Sequence, residues 1–307
     1  MDIFLQQVIN GLTLGSVYAI VALGYTMVYG IIQLINFAHG ELVMMGAMVA
    51  FSVIGALVGT ALPPVLIVLA GILAAVPACM LVGYAMERIA YRPLRGAPRL
   101  APLITAIGIS IILQHVALLV WSRSPLAFPQ IIPLVSFNLG GAIITGVQIA
   151  IILTSVLMMG GLTLMVYRTK LGIAMRATSQ NPQVAGLMGI DIDRIISFTF
   201  IVGAALAAVA GVMVGTYYGI AHYGMGSLLG MKAFSAAVLG GIGNLAGAML
   251  GGILLGIVEA LGAGYIGDLT NNVFGSNYQD VFAFLVLIGV LVFRPSGLLG
   301  ERVGDRA

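Results

Sequence analysis

Several long stretches of this 307-residue chain contain almost no Lys, Arg, Asp or Glu. Each reaches the roughly 20 residues that a helix needs to cross a bilayer. Charged residues make up 7% of the whole and apolar residues 61%, against about 25% charged in an ordinary soluble domain. A soluble fold of this length could not cover its surface with so few charges, so the surplus apolar surface must face lipid. A transmembrane β-barrel would show short alternating segments, and this sequence has none. The expected fold class is therefore all-α: one polytopic transmembrane helix bundle over 1–307, with about eight membrane segments and re-entrant or broken helices among them.

The segments read as 5–29, 40–58, 63–86, 100–121, 143–167, 195–217, a broken stretch 228–263, and 278–293. Glycine is abundant at 42 residues and falls inside segments, as at Gly203, Gly211 and Gly215. Small residues let helices approach closely where lipid offers no hydrophobic push, which predicts a tightly packed bundle. The first 30 residues contain Asp2 and no Lys or Arg, so the basic start of a cleavable leader is missing and the first helix is expected to be retained. Cys79 is the single cysteine and lies in an apolar run, which excludes an internal disulfide and predicts plain packing.

The net charge of +3 is not a nucleic-acid patch, because the basic residues sit in short connections between apolar runs. Arg88, Arg92, Arg95 and Arg99 form one group, Arg168, Lys170, Arg176 and Arg194 a second, and Arg294, Arg302 and Arg306 a third. All three are expected on the cytoplasmic side. The loop 122–142, with Pro125, Pro129 and Pro133 and only Arg123, and the stretch 267–280, with Asn271, Asn272 and Asn277, belong outside. An even number of crossings must then lie within 228–263, which is too short for two full spans. A pair of half-helices, or a helix plus a re-entrant segment, resolves the count, with Gly240-Gly241-Ile242-Gly243-Asn244 as the break. The same counting puts the N-terminus outside if 5–29 and 40–58 each cross once, unless the polar stretch at 33–41 is itself re-entrant.

Burying a charge at mid-membrane costs roughly 2.5–3.5 kcal/mol on insertion scales, so polar residues inside the apolar runs are candidate sites. Asn36, His39 and Glu41 lie in Asn36-Phe37-Ala38-His39-Gly40-Glu41. One reading makes this an interfacial loop where His39 and Glu41 meet water and Asn36 caps the next helix. The other makes it a broken helix inside the bundle whose polar groups line a path. Both stay open. Gly241, Gly243 and Asn244 form the matching interruption in the second half, a pairing that marks the substrate path in secondary transporters. Glu259 either faces the bundle or reaches the interface, while His115 and His222 read as hydrogen-bonded imidazoles. No zinc-protease, nucleophile-elbow or Walker A sequence occurs, so nothing catalytic and no resident cofactor is expected.

The second basic connection contains a short helix. Asn181 is a strong N-cap, Pro182 suits the first helical position, and Gly189 suits the residue past the end. Val184, Ala185, Leu187 and Met188 give it an apolar surface, yet two turns of helix are unstable alone in water. The helix needs something to pack against: a partner protein, the bilayer interface or the underside of the bundle.

Several spaced motifs, in order over nearly the whole chain, resemble the permease subunits of branched-chain amino acid ABC importers, the LivH type. They are Gly30-Ile31-Ile32-Gln33-Leu34-Ile35-Asn36-Phe37-Ala38-His39-Gly40-Glu41, then Arg176-Ala177 and Asn181-Pro182 through Ala185-Gly186-Leu187-Met188-Gly189-Ile190. Near the end come Val238-Leu239-Gly240-Gly241-Ile242-Gly243-Asn244-Leu245-Ala246-Gly247-Ala248 and Phe293-Arg294-Pro295-Ser296-Gly297-Leu298. The resemblance implies a second permease of the LivM type, two cytoplasmic ATPases of the LivG and LivF types carrying ATP and Mg, and a periplasmic binding protein delivering Leu, Ile or Val. It also implies a bacterial inner-membrane location. Residues 181–190, with Arg176 and Ala177, then look like the coupling helix that receives ATPase motion. Arg176 stands near where the general loop motif of such permeases begins with an acid, a departure that bears on the detailed contact. Permeases for urea, short-chain amides or other amino acids look much alike. An ion-coupled secondary transporter is the rival from another class, and the few carboxylates expected inside the bundle speak against it.

Overall fold

The computed structural model describes residues 2–98, 100–132, 135–270 and 278–300. Arg99, Pro133, Asn271, Asn272, Asn277, Arg302 and Arg306 lie outside the described residues. The helices are α1 (Asp2–Ile32), α2 (His39–Leu57), α3 (Pro64–Met86), α4 (Leu100–Val120), α5 (Gly146–Arg168), α6 (Lys170–Gln180), α7 (Pro182–Leu187), α8 (Ile192–Tyr218), α9 (Met225–Gly240), α10 (Leu245–Leu269) and α11 (Gln279–Phe293). Among the described residues, seven helices are long and apolar enough to cross a membrane, and α9 and α11 are shorter apolar helices.

Two short antiparallel ribbons were not expected. Strand β1 (Leu126–Ala127) pairs with β4 (Ile220–Ala221), and β2 (Ser136–Leu139) pairs with β3 (Ala142–Thr145). The segment read as 143–167 therefore begins as a strand, and α5 starts only at Gly146. There Thr145 accepts from the Gln148 amide at 3.3 Å and the Gln148 side chain accepts from the Thr145 amide at 2.9 Å, a reciprocal cap that satisfies two otherwise free donors.

Helices α1 and α8 form the centre, buried along most of their length, while α3, α4 and α5 turn exposed Leu, Ile and Val outward. A helix that is apolar all round belongs in such a centre. Glycine sets the spacing. Gly11 and Gly15 of α1 lie against the Ile257 and Ile253 backbones of the antiparallel α10, and Gly252 lies against Ala19. A Cβ on Gly15 would stand 2.7 Å from the Ile253 Cα, and one on Gly46 of α2 would stand 2.6 Å from the Ala208 Cα of α8. The backbones touch without side chains between them, as the glycine count predicts.

The ends of the bundle are chemically distinct. Arg92, in the helical extension of α3 over 87–94, and Arg95, just after it, pair with Asp193 at the start of α8. Gly30 faces Gly243, Asn36 accepts from the Tyr91 hydroxyl at 2.7 Å, and the segment after α11 pairs with the end of α9. The described parts of all three basic groups thus gather at one end. Gln6 of α1 exchanges hydrogen bonds with Ile143 and lies with the ribbons at the other end. The N-terminus is at the end opposite the basic groups, the placement the counting gave for one crossing each of 5–29 and 40–58.

The stretch read as 228–263 is longer than expected: α9 and α10 together span 225–269, and Gly240–Asn244 breaks them as anticipated. Helix α10 is full-length, about 37 Å at 1.5 Å per residue, and α9 is shorter at about 24 Å. Their junction lies at the basic end, not at mid-bundle.

Replacing Gly15 by Leu should destabilise the folded subunit by about 1–3 kcal/mol or more through overpacking. Gly160→Leu, where nothing lies within 4 Å of a built Cβ, should be neutral. Thermal melting of the detergent-solubilised protein checks both outcomes.

Candidate functional site

Between α1 and α2 the chain folds back into the bundle. Gln33 takes φ +51, and 33–38 carry the chain to His39, which lies against Gly24 and Gly203, close to the middle of α8. The interfacial reading of this segment is overturned: Asn36, His39 and Glu41 are all buried. Asn36 does not cap α2 either. The N-cap is Ala38, which has no side-chain cap; the Asn36 side chain instead accepts from the Ala38 amide at 3.1 Å and from Tyr91. A short polar side chain prefers such local turns when the chain reverses. The Tyr25 ring packs edge-on against His39 at 4.8 Å.

Glu41 is held from one side only. Its Oε1 accepts from Ser110 Oγ at 3.0 Å and Gln114 Nε2 at 2.8 Å, both on α4. Its Oε2, the Asn36 amide nitrogen and the His39 Nε2 are buried without a hydrogen-bond partner among the described residues. Such groups cost about 1–3 kcal/mol each when left unpaired, which makes this short segment the candidate site.

Glu259 does not reach an interface. It is buried, accepts from the Tyr18 hydroxyl at 3.0 Å, and pairs with Lys232 at 2.7 Å; Lys232 also lies 2.6 Å from Asp280. Four helices, α1, α9, α10 and α11, meet at this network. Lys232 is the one charge between Arg194 and Glu259 in the sequence. A lone cation in an apolar run needs a buried anion, and that signal was present. Glu87 is a further buried acid, paired with Arg95 and accepting from Ser197 Oγ at 2.5 Å. The bundle therefore holds Glu41, Glu87 and Glu259 inside, and the expectation of few internal carboxylates is corrected.

The α9–α10 turn is built from its own residues. Gly241 and Gly243 have φ of +106 and +97, a left-handed region that favours glycine. Asn244 caps α10 by accepting from the Gly247 amide at 3.0 Å and donates to the Leu299 carbonyl at 2.9 Å. The Leu298 and Leu299 amides donate to the Leu239 and Gly240 carbonyls.

Beyond α5, the basic end carries α6 as well as the expected α7. Thr169 caps α6, and Arg176 stacks over the Tyr167 ring at 5.2 Å. The Asn181 amide donates to the Ala177 carbonyl, closing α6, while the Asn181 side chain accepts from the Val184 amide at 3.1 Å and Pro182 opens α7. At the far end the Ile190 amide donates to Ala185 and the Gly189 amide to Gly186, with Gly189 at φ +85. This double closure is what a glycine past the helix end permits. Ala185 is buried against its own chain, a correction to the expected apolar surface. Gly186 lies over Ile192. Val184, Leu187 and Met188 remain exposed, the last two at 87% and 79%. Among the described residues, no three His, Cys, Asp or Glu side chains are grouped to hold a metal.

Replacing Lys232 by Met should cost about 3–5 kcal/mol by leaving buried Glu259 uncompensated. Adding Glu259→Met should restore most of that loss, and melting of the two purified variants measures the difference.

No solved structure matches this chain. It matches the branched-chain amino acid transport system permease component family over residues 7–291. It is 49% identical to the high-affinity branched-chain amino acid transport system permease protein BraD of Pseudomonas aeruginosa, over 97% of this chain and 96% of that protein. It is 45% identical to the LivH permease protein of the same description in Escherichia coli K12, with the same coverage, and 29% identical to a probable LivH of Methanocaldococcus jannaschii, over 97% of this chain and 94% of that protein. A bundle with buried polar breaks and a capped helix at its basic end, matched along its length to these permeases, belongs to the branched-chain amino acid transport permease family.

Proposed function

We propose that this chain is a membrane-spanning subunit of a binding-protein-dependent ABC importer of the bacterial inner membrane, moving Leu, Ile or Val into the cytoplasm. ATP, with Mg, is hydrolysed on separate LivG- and LivF-type subunits, and a second permease of the LivM type completes the membrane part. A periplasmic binding protein delivers the substrate. The observation that carries this reading is α7. Its caps shape six residues into a rigid tip, Leu187 and Met188 project from it, and nothing in the described chain covers them. An apolar tip at the basic end is a docking point for a cytoplasmic motor. Arg176, Ala177, Asn181, Pro182, Ala185, Gly186 and Gly189 hold that tip in place, and Leu187 makes the contact.

The translocation path is assigned to the α1–α2 corner, where Asn36, His39 and Glu41 each keep a buried polar atom free. Gly241, Gly243 and Asn244 lie at the basic end, where Gly243 meets Gly30, and Glu259 lies further along α10 with Lys232; the side chains of Asn244 and Glu259 are engaged in holding helices together. Ion coupling gains a specific observation in the three internal carboxylates. Two of them are already neutralised by Lys232 and Arg95, which favours fixed charge over a moving ion.

Leu187→Asp combined with Met188→Asp should lower ATPase co-purification and leucine uptake by ~30-fold or more, the loss of an interface anchor worth ~2 kcal/mol. The subunit should still insert in the membrane. Full uptake with bound ATPase, or uptake in vesicles driven by an ion gradient without ATP, would remove the importer assignment.

A further inference from the structure

Two helix beginnings meet beside the free oxygen of Glu41. Gly226, in the first turn of α9, is so close to α2 that a built Cβ would stand 2.6 Å from both Glu41 Oε2 and the Gly40 carbonyl. Helix α9 has Gly224 at its N-cap and no side-chain cap. Its first turn therefore presents backbone N–H groups without a side-chain acceptor, at the positive end of the helix dipole. Ser227 and Leu228 of that turn are exposed, so it can be reached from the subunit surface. The Asn36 amide nitrogen and the His39 Nε2, both buried and unpartnered, belong to the same corner.

These groups are complementary to the two charges of an α-amino acid. A carboxylate oxygen that accepts no hydrogen bond suits an ammonium group, and the beginning of a helix suits a carboxylate. Tyr25, Phe37 and Phe234 pack together beside them and offer apolar surface for an aliphatic side chain. Among the described residues no Lys or Arg pairs with Glu41, in contrast to Glu87 and Glu259. Its other oxygen is pinned by Ser110 and Gln114, which fixes the carboxylate and leaves one oxygen available.

We infer that Glu41 is a substrate-recognition residue: as α9 separates from α2 at Gly226 and Gly40, Glu41 Oε2 receives the ammonium of the passing amino acid, and the first turn of α9 receives its carboxylate. The Gly226–Gly40 contact suits this motion, because no side chains interlock there. The inference rests on the amino-acid importer reading and assigns to it the zwitterion, not the side chain, as the recognised group.

The test uses the complete importer, co-expressed and reconstituted with its ATPases and binding protein, with labelled L-leucine as probe. Glu41→Gln keeps an acceptor for Ser110 and Gln114 and removes the charge. It should lower leucine moved per ATP hydrolysed by ~10-fold, one unmade charge-assisted bond, with assembly and ATP hydrolysis retained. Glu41→Asp keeps the charge but withdraws it, and should give an intermediate ratio; it carries the test alone if the Gln variant does not assemble. An unchanged leucine-to-ATP ratio in the variant that assembles overturns the inference. So does an unchanged ratio accompanied by loss of proton movement, which would make Glu41 a proton carrier. A wild-type complex that moves no leucine would instead sink the importer reading itself.

Discussion

The structure depends on backbones that touch. Lipid offers no hydrophobic force between helices, so association must come from close packing and from polar groups that find one another. Glycine on α1 faces the α10 backbone, and glycine on α2 and α8 lets those two run side by side. Because α1 and α8 are buried along most of their length, the charge-poor exterior falls to α3, α4 and α5. The same absence of side chains at Gly40 and Gly226 lets the Glu41 carboxylate lie against the first turn of α9.

Charge inside the bundle follows two rules. Glu87 and Glu259 are compensated by Arg95 and Lys232 and tie distant segments of the chain together. Glu41 is only hydrogen-bonded, and its neighbours Asn36 and His39 are likewise left with a free atom. Compensated pairs hold a fold in one arrangement; the uncompensated groups are those proposed to line the path. The first kind frames the second, since Lys232 anchors the helix whose opening turn presses on Glu41.

Membrane segments were legible because the length and charge content of a lipid-spanning helix are narrow constraints, and the break at 240–244 was legible because glycine and asparagine have few other uses there. Residues 181–190 could be read in detail, since capping is a local matter: Asn181, Pro182 and Gly189 act where the sequence puts them. What was hidden depended on long-range contact. Asn36 could be read as a cap or as part of a broken helix, and it is Tyr91, far along the chain, that engages its side chain. The burial of His39 follows from Gly24 and Gly203, one before and one far after it. Lys232 could be recognised as costly from its apolar surroundings, but its partners on α10 and α11 could not be named from one sequence. Strands β1 to β4 are too short to leave an alternating pattern.

The pairing of α1 with α10 also shapes how the molecule is made. Helix α1 emerges during synthesis well before α10 and finds this neighbour only after residue 245 has appeared. At about 5–20 residues per second, that is a wait on the order of ten seconds or more. During it, Gly11 and Gly15 present a bare stripe of backbone to the lipid, open to any other small-residue helix nearby. Assembly is thus exposed to mispairing for most of translation, and a chaperone or a sister subunit that shields α1 in this interval would raise the yield of correctly built permease without altering its final stability.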